Sequence, residues 1–205
     1  MSTDRLGAFS DGVIAVIITI MVLALKAPDT PTFAALVPLW PTAVSYAVSY
    51  LFIAIIWVNH HHLLRFVAYP TTRLIWFNFA HLFLVSLVPF ATQWVANSRL
   101  ASTPVIFYAL VFVCVDLAYL AFEHEVMVQA DCSAVPEMAK AKAHRRSVLT
   151  LAIFGVAACA AVVAPLVGMG LICAALSLFI KPEMPGVCIA KPIPDAEIEP
   201  PPPSS

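Results

Sequence analysis

The sequence predicts an all-α membrane protein of six transmembrane helices with both termini in the cytoplasm. Of 205 residues, 61% are hydrophobic and only 11% are charged, whereas soluble domains average about 45–50% apolar residues. Apolar runs recur near the ~20 residues that cross a hydrocarbon core of about 30 Å. The basic residues also sort to one side of those runs, as cytoplasmic loops require.

The first span runs from about Phe9 to Leu25, and the second, Phe33 to Val58, carries no formal charge. The third extends from Leu74 to about Ala96 and contains His81 and Pro89; the fourth, about Pro104 to Phe122, contains Asp116. Val148 to Ile180 is a charge-free stretch of 33 residues, about 50 Å as one helix and too long for one crossing. A break at Pro165, Gly168 and Gly170 divides it into two short spans, the sixth running from about Val167 to Ile180.

With six spans and a cytoplasmic N-terminus, Arg5, Arg65, Arg73, Lys140, Lys142, Arg145, Arg146, Lys181 and Lys191 fall inside, while only Lys26 and Arg99 fall outside. Nine against two fits the positive-inside pattern. Five spans would move the last lysines outside, and no segment remains for a seventh.

The predicted membrane domain covers residues 1–180. Residues 181–205 hold eight prolines and read as a disordered Pro-rich cytoplasmic tail. Net charge is −1, which offers no basic surplus for nucleic acid. The five cysteines show no CxxC spacing and read as small apolar packers. The first run lacks a small-residue cleavage site and reads as a retained helix rather than a signal peptide. RLGAFSD has no second copy after residue 100, which argues against the fused halves common among transporters.

On this topology the polar residues share a layer. Ser10 and Asp11 lie near the inner end of span one, Trp57, Asn59 and His60 at the inner end of span two, Asn78 about one turn into span three, and Asp116 two turns before the inner end of span four. Intramembrane polar groups face partners in the bundle. The layer is therefore either an interhelical packing network or a relay or substrate site. The block from Glu123 to Arg146 reads as a solvated inner loop, with Arg145 and Arg146 anchoring span five.

Helical geometry separates two faces of span one. At 100° per residue, Phe9, Gly12, Val16, Ile20 and Leu23 form one stripe with Thr19 at its edge, and Ser10 and Asp11 point more than 100° away. Consecutive helical residues diverge too far for His60, His61 and His62 to share one ion, so no metal site is expected. His60 is read as a packing partner, His61 and His62 as interfacial, and His81 as a hydrogen-bonded intramembrane histidine.

Arg5, Phe9, Ser10 and Asp11 form an RxxxFSD signature; WVNH occupies 57–60, with Asn78 and the Pro89-Phe90 pair further on. This set resembles the transmembrane protein 175 family of lysosomal and prokaryotic potassium channels, over all six spans to about residue 180. The resemblance implies a potassium-permeable cation channel of the cell membrane, with no enzymatic activity and no cofactor beyond the permeant potassium. It also implies a homotetramer whose first helices line a central pore, with hydrophobic rings at Val16, Ile20 and Leu23 and Thr19 as a polar contributor to selectivity. Val16 is smaller than the isoleucine or leucine usual at the narrowest position, which implies a wider constriction.

In such a protein Arg5, Phe9, Ser10, Asp11, Trp57, Asn59, His60 and Asn78 form the structural polar network, with Ser10 and Asp11 bonding toward Trp57, His60 and Asn78. The main alternative is a proton-coupled transporter with Asp11, His60, His81 and Asp116 as a relay. Weaker alternatives are a histidine-metal membrane enzyme and a scaffold without transport activity.

Overall fold

The computed structural model describes residues 2–67, 69–129 and 137–179. Regular structure among them is entirely helical: α1 (Thr3–Leu23), a 3-10 segment (Phe33–Leu39) leading into α2 (Trp40–Leu64), α3 (Thr72–Val85), α4 (Val88–Asn97), α5 (Ser102–Gln129), α6 (Glu137–Ala161) and α7 (Pro165–Phe179). Several starts have a local cause. The Ser2 hydroxyl accepts from the Arg5 N–H to cap α1, and the Thr71 hydroxyl accepts from the Leu74 N–H to cap α3, satisfying donors that lack a partner in the first turn. Proline occupies the first turns of α2 and α4, where its missing N–H costs nothing.

Four segments are long and apolar enough to cross a membrane: Thr3–Leu23, Phe33–Leu64, Thr72–Asn97 and Ser102–Gln129. The last two of the six expected spans correspond to shorter apolar stretches, Ser147–Ala161 and Pro165–Ser177.

The third span is two helices rather than one. Proline removes a backbone donor and its ring collides with the carbonyl four residues earlier; for Pro89 that residue is Val85, where α3 ends. The halves stay packed through buried Val85, Val88 and Ala91. At the end of α4, Arg99 and Leu100 take positive φ of 53° and 63°. The Leu100 N–H returns to the Val95 carbonyl at 3.1 Å and the Arg99 N–H to the Ala96 carbonyl at 3.2 Å. This is the Schellman closure, and burial of Leu100 offsets the left-handed backbone.

The acidic stretch after Phe122 is not a loop. Helix α5 continues to Gln129, and Glu125 is buried, pairing with Arg73 at 3.0 Å and accepting from Gln129 at 2.9 Å. The Gln129 amide donates to Thr71 at 2.7 Å, which ties the end of α5 to the start of α3. Arg145 and Arg146 lie on α6. The extension moves Asp116 to the middle of α5. The Pro-rich segment 181–205 lies outside the described residues.

The break before α7 falls at residues 162–164, with Pro165 opening the helix; Gly168 and Gly170 are helical instead of breaking the chain. A Cβ on Gly168 would stand 2.8 Å from both the Ala157 carbonyl oxygen and the Ala161 Cβ, whereas one on Gly170 would meet nothing within 4 Å. The core centres on Phe52 of α2 and Phe112 of α5, stacked at 3.7 Å, with Phe154 of α6 edge-on to both. Gly168→Ala is expected to lower stability by about 1–3 kcal/mol through overpacking, and Gly170→Ala to leave it nearly unchanged. Thermal unfolding of the two variants in detergent checks this contrast.

Candidate functional site

Helix α1 presents two unlike faces to its surroundings. Leu6, Ser10, Ile14, Ile17 and Met21 are buried, and their spacing of three or four residues forms a single stripe. The opposite side is uncovered: Phe9 is 47%, Val16 55%, Ile20 49% and Leu23 83% exposed. A Cβ on Gly12 would have no neighbour. Thr19 is also exposed, and its hydroxyl donates to the Val16 carbonyl at 2.8 Å, which keeps it close to the helix while leaving its oxygen lone pairs outward.

A buried polar chain holds the covered face. Ser10 Oγ donates to the Leu6 carbonyl at 2.9 Å and accepts from Asn78 Nδ2 at 3.0 Å. Asn78 Oδ1 lies 2.6 Å from His60 Nε2. The amide oxygen only accepts, so His60 carries its proton on Nε2. The imidazole lies nearly parallel to the Phe122 ring at 5.2 Å and to His81 at 6.1 Å. Ser10, His60 and Asn78 are fully buried, so one hydrogen-bonded line runs from α1 through α3 to α2.

A second link lies nearer the surface. Trp57 Nε1 donates to Asp11 Oδ1 at 2.8 Å. Trp57 in turn stacks on His61, whose Nε2 accepts from Arg65 at 3.1 Å. Phe9 meets Phe79 of α3 edge-on at 5.5 Å. At the helix start, Thr3 Oγ1 donates to the Val67 carbonyl at 2.9 Å, and Leu6 packs among Leu63, Leu64, Val67, Leu74, Phe122 and Val126.

Two residues expected in this network stand apart. Arg5 is exposed, and its capping contact uses its backbone N–H. Asn59 instead lines a separate cavity between α2, α5, α6 and α7, with Asp116 in its wall. His81 is buried, yet neither ring nitrogen has a hydrogen-bond partner in good geometry; only the Val115 backbone approaches it. The expected hydrogen-bonded histidine is thus an aromatic packing element against Tyr119 and Phe122. The hydrogen bonds among the described residues do not connect Asp11, His60, His81 and Asp116 into one relay. Among the described residues no group of three or more His, Cys, Asp or Glu side chains is placed to hold a metal ion.

Sequence reasoning did not find the Ser49, Thr92 and Tyr108 cluster. Ser49 Oγ lies 2.6 Å from both Thr92 Oγ1 and the Tyr108 hydroxyl, which joins α2, α4 and α5 inside the core. Its members come from three helices and share no periodicity, so no local signal marks them.

These features define a multi-pass helical membrane protein in which polar contacts fix the rotation of the first helix and leave one apolar side open. A family model described as the endosomal/lysosomal potassium channel TMEM175 matches residues 5–89. The chain is 41% identical over 127 residues to a potassium channel of Chryseobacterium sp. (strain P1-3), a match covering 62% of this chain and 66% of that one. It is 38% identical over 127 residues to a potassium channel of Streptomyces collinus, covering 58% and 62%. The matched stretch therefore spans just under two thirds of these relatives' length. Among solved structures, the crystal structure of a lysosomal potassium-selective channel TMEM175 homolog from Chamaesiphon minutus superposes with a TM-score of 0.73 at 25% identity, covering 86% of this chain and 95% of that one. The chain is thus similar to the TMEM175 family, most directly over residues 5–89.

Asn78→Ala would leave two buried groups, Ser10 Oγ and His60 Nε2, short of a partner at about 1–3 kcal/mol each. A clear fall in thermal stability in detergent is expected. An unchanged unfolding temperature would remove Asn78 from the anchoring role.

Proposed function

We propose that the chain is one subunit of a potassium-permeable cation channel of the cell membrane, a homotetramer whose first helices surround a central pore. The observation that supports this reading best is the uncovered stripe of α1: Val16, Ile20 and Leu23 are about half or more exposed. One apolar helix face cannot enclose a path alone, so copies of the chain complete the wall. The names of the relatives and of the solved neighbour point to the same activity.

In this reading, rings of Val16, Ile20 and Leu23 narrow the pore, and Thr19 offers the polar atom between them. An ion entering an apolar ring sheds part of its hydration shell. Potassium, being larger than sodium, holds that shell less tightly and passes at lower cost. The same rings close the path by dewetting when they narrow. Val16 is the smallest of the three, which makes its ring the widest for a given helix spacing.

Asp11, Ser10, His60 and Asn78 act at a distance from the ion by setting the rotation of α1. Ile20→Asn or Leu23→Asn is expected to alter conductance and ion preference in well-folded tetramers, while Asp11→Ala is expected to impair assembly or the open geometry. Proteoliposome flux under a potassium gradient, with sodium and proton controls, reads all three. Unchanged selectivity in both asparagine variants would overturn the pore assignment. Saturable, substrate-dependent flux would replace the channel with a transporter.

A further inference from the structure

A second polar site lies away from α1. A cavity of about 50 Å³ sits between α2, α5, α6 and α7, larger than the ~10–15 Å³ that one water-sized occupant requires. Its polar wall consists of Asn59 from α2, Asp116 and Tyr119 from α5, and Ser147 and Thr150 from α6; the remainder is apolar. No residue of α1 takes part.

Asp116 stands at the middle of the 28-residue α5, inside the apolar part of that helix, where an unpaired charge is costly. Its Oδ2 is enclosed and has no hydrogen-bond partner, and among the described residues no Lys, Arg or His lines the cavity. A carboxyl group in that position either takes up a proton or pairs with a positive charge. Around it are an amide and three hydroxyls, each with oxygen lone pairs to offer. One carboxylate among neutral oxygens is the donor set of a hard cation, and a single negative charge matches a single positive one.

We propose that this cavity binds one dehydrated monovalent cation of the sodium or potassium class, held by the Asp116 carboxylate with oxygen atoms from Asn59, Ser147 and Thr150. The site is separate from the α1 stripe and does not rest on the pore reading. A bound ion would cross-link α2, α5 and α6, and the stability of the bundle would follow the cation present.

Thermal unfolding of the full chain in detergent tests this, in sodium, potassium or N-methyl-D-glucamine chloride at constant ionic strength and at two pH values. A saturable rise in Tm with sodium or potassium over N-methyl-D-glucamine is expected, lost in Asp116→Asn, weakened in Thr150→Ala and retained in the α1 variant Ile20→Asn. Crystals soaked in rubidium are expected to show an anomalous peak in the cavity, a reading that needs no variant should Asp116→Asn fail to fold. An equal rise in Asp116→Asn would overturn the site. So would stability that follows pH but not cation identity, which would assign a proton to Asp116, or a cavity without an anomalous peak.

Discussion

The contact from Ser10 to Asn78 to His60 decides which side of α1 faces the protein. Between helices in lipid there is little hydrophobic drive toward one rotation, because acyl chains are as apolar as leucine, so packing shape and interhelical hydrogen bonds select it. Each such bond contributes about 0.6–2 kcal/mol. That is modest in isolation, but rotating α1 away would break the bond between Ser10 and the buried Asn78 amide and leave Asn78 Nδ2 without that partner. With Ser10 turned inward, Ile14, Ile17 and Met21 follow into the core, and Val16, Ile20 and Leu23 are turned out.

The anchor lies near one end of α1, and the two ends are held differently. Around Leu6, a compact apolar cluster, the Thr3 hydroxyl and the Trp57 indole secure the start of the helix. Toward Met21 the contacts are apolar, beside the Ser49, Thr92 and Tyr108 cluster that joins the neighbouring helices. The uncovered stripe is concentrated in this second half. A helix gripped at its base and packed by smooth apolar contact above can shift its far end without breaking the polar chain.

Much of this was legible in the sequence because it depends on period. Ser10 and Asp11 lie more than 100° from the stripe of Val16, Ile20 and Leu23, and helical geometry alone separates the two faces. Partners from other helices were harder to assign. Asn59 neighbours His60 in sequence but points about 100° away around α2, where it meets the Asp116 cavity. Glu125 belongs to a charged block that resembles a loop, yet its pairing with Arg73 lets α5 run on as a buried helix. Pro89 did carry a readable signal, since its ring sets the end of α3 four residues earlier; its flanking apolar run hid the break. His81 was misread because a buried histidine is usually hydrogen-bonded, and here the ring serves as an aromatic surface.

If α1 turns one face to the bundle and, as proposed, the other to the ion, cysteine accessibility along this helix separates the two. In a background free of native cysteines, single cysteines would be placed at Ile14, Val16, Ile17, Thr19, Ile20, Met21 and Leu23. Potassium flux would then be followed during treatment with a water-soluble thiol reagent. Block at Val16, Thr19, Ile20 and Leu23, with Ile14, Ile17 and Met21 unaffected, is the predicted pattern. Block at the buried positions with none along the stripe would contradict it.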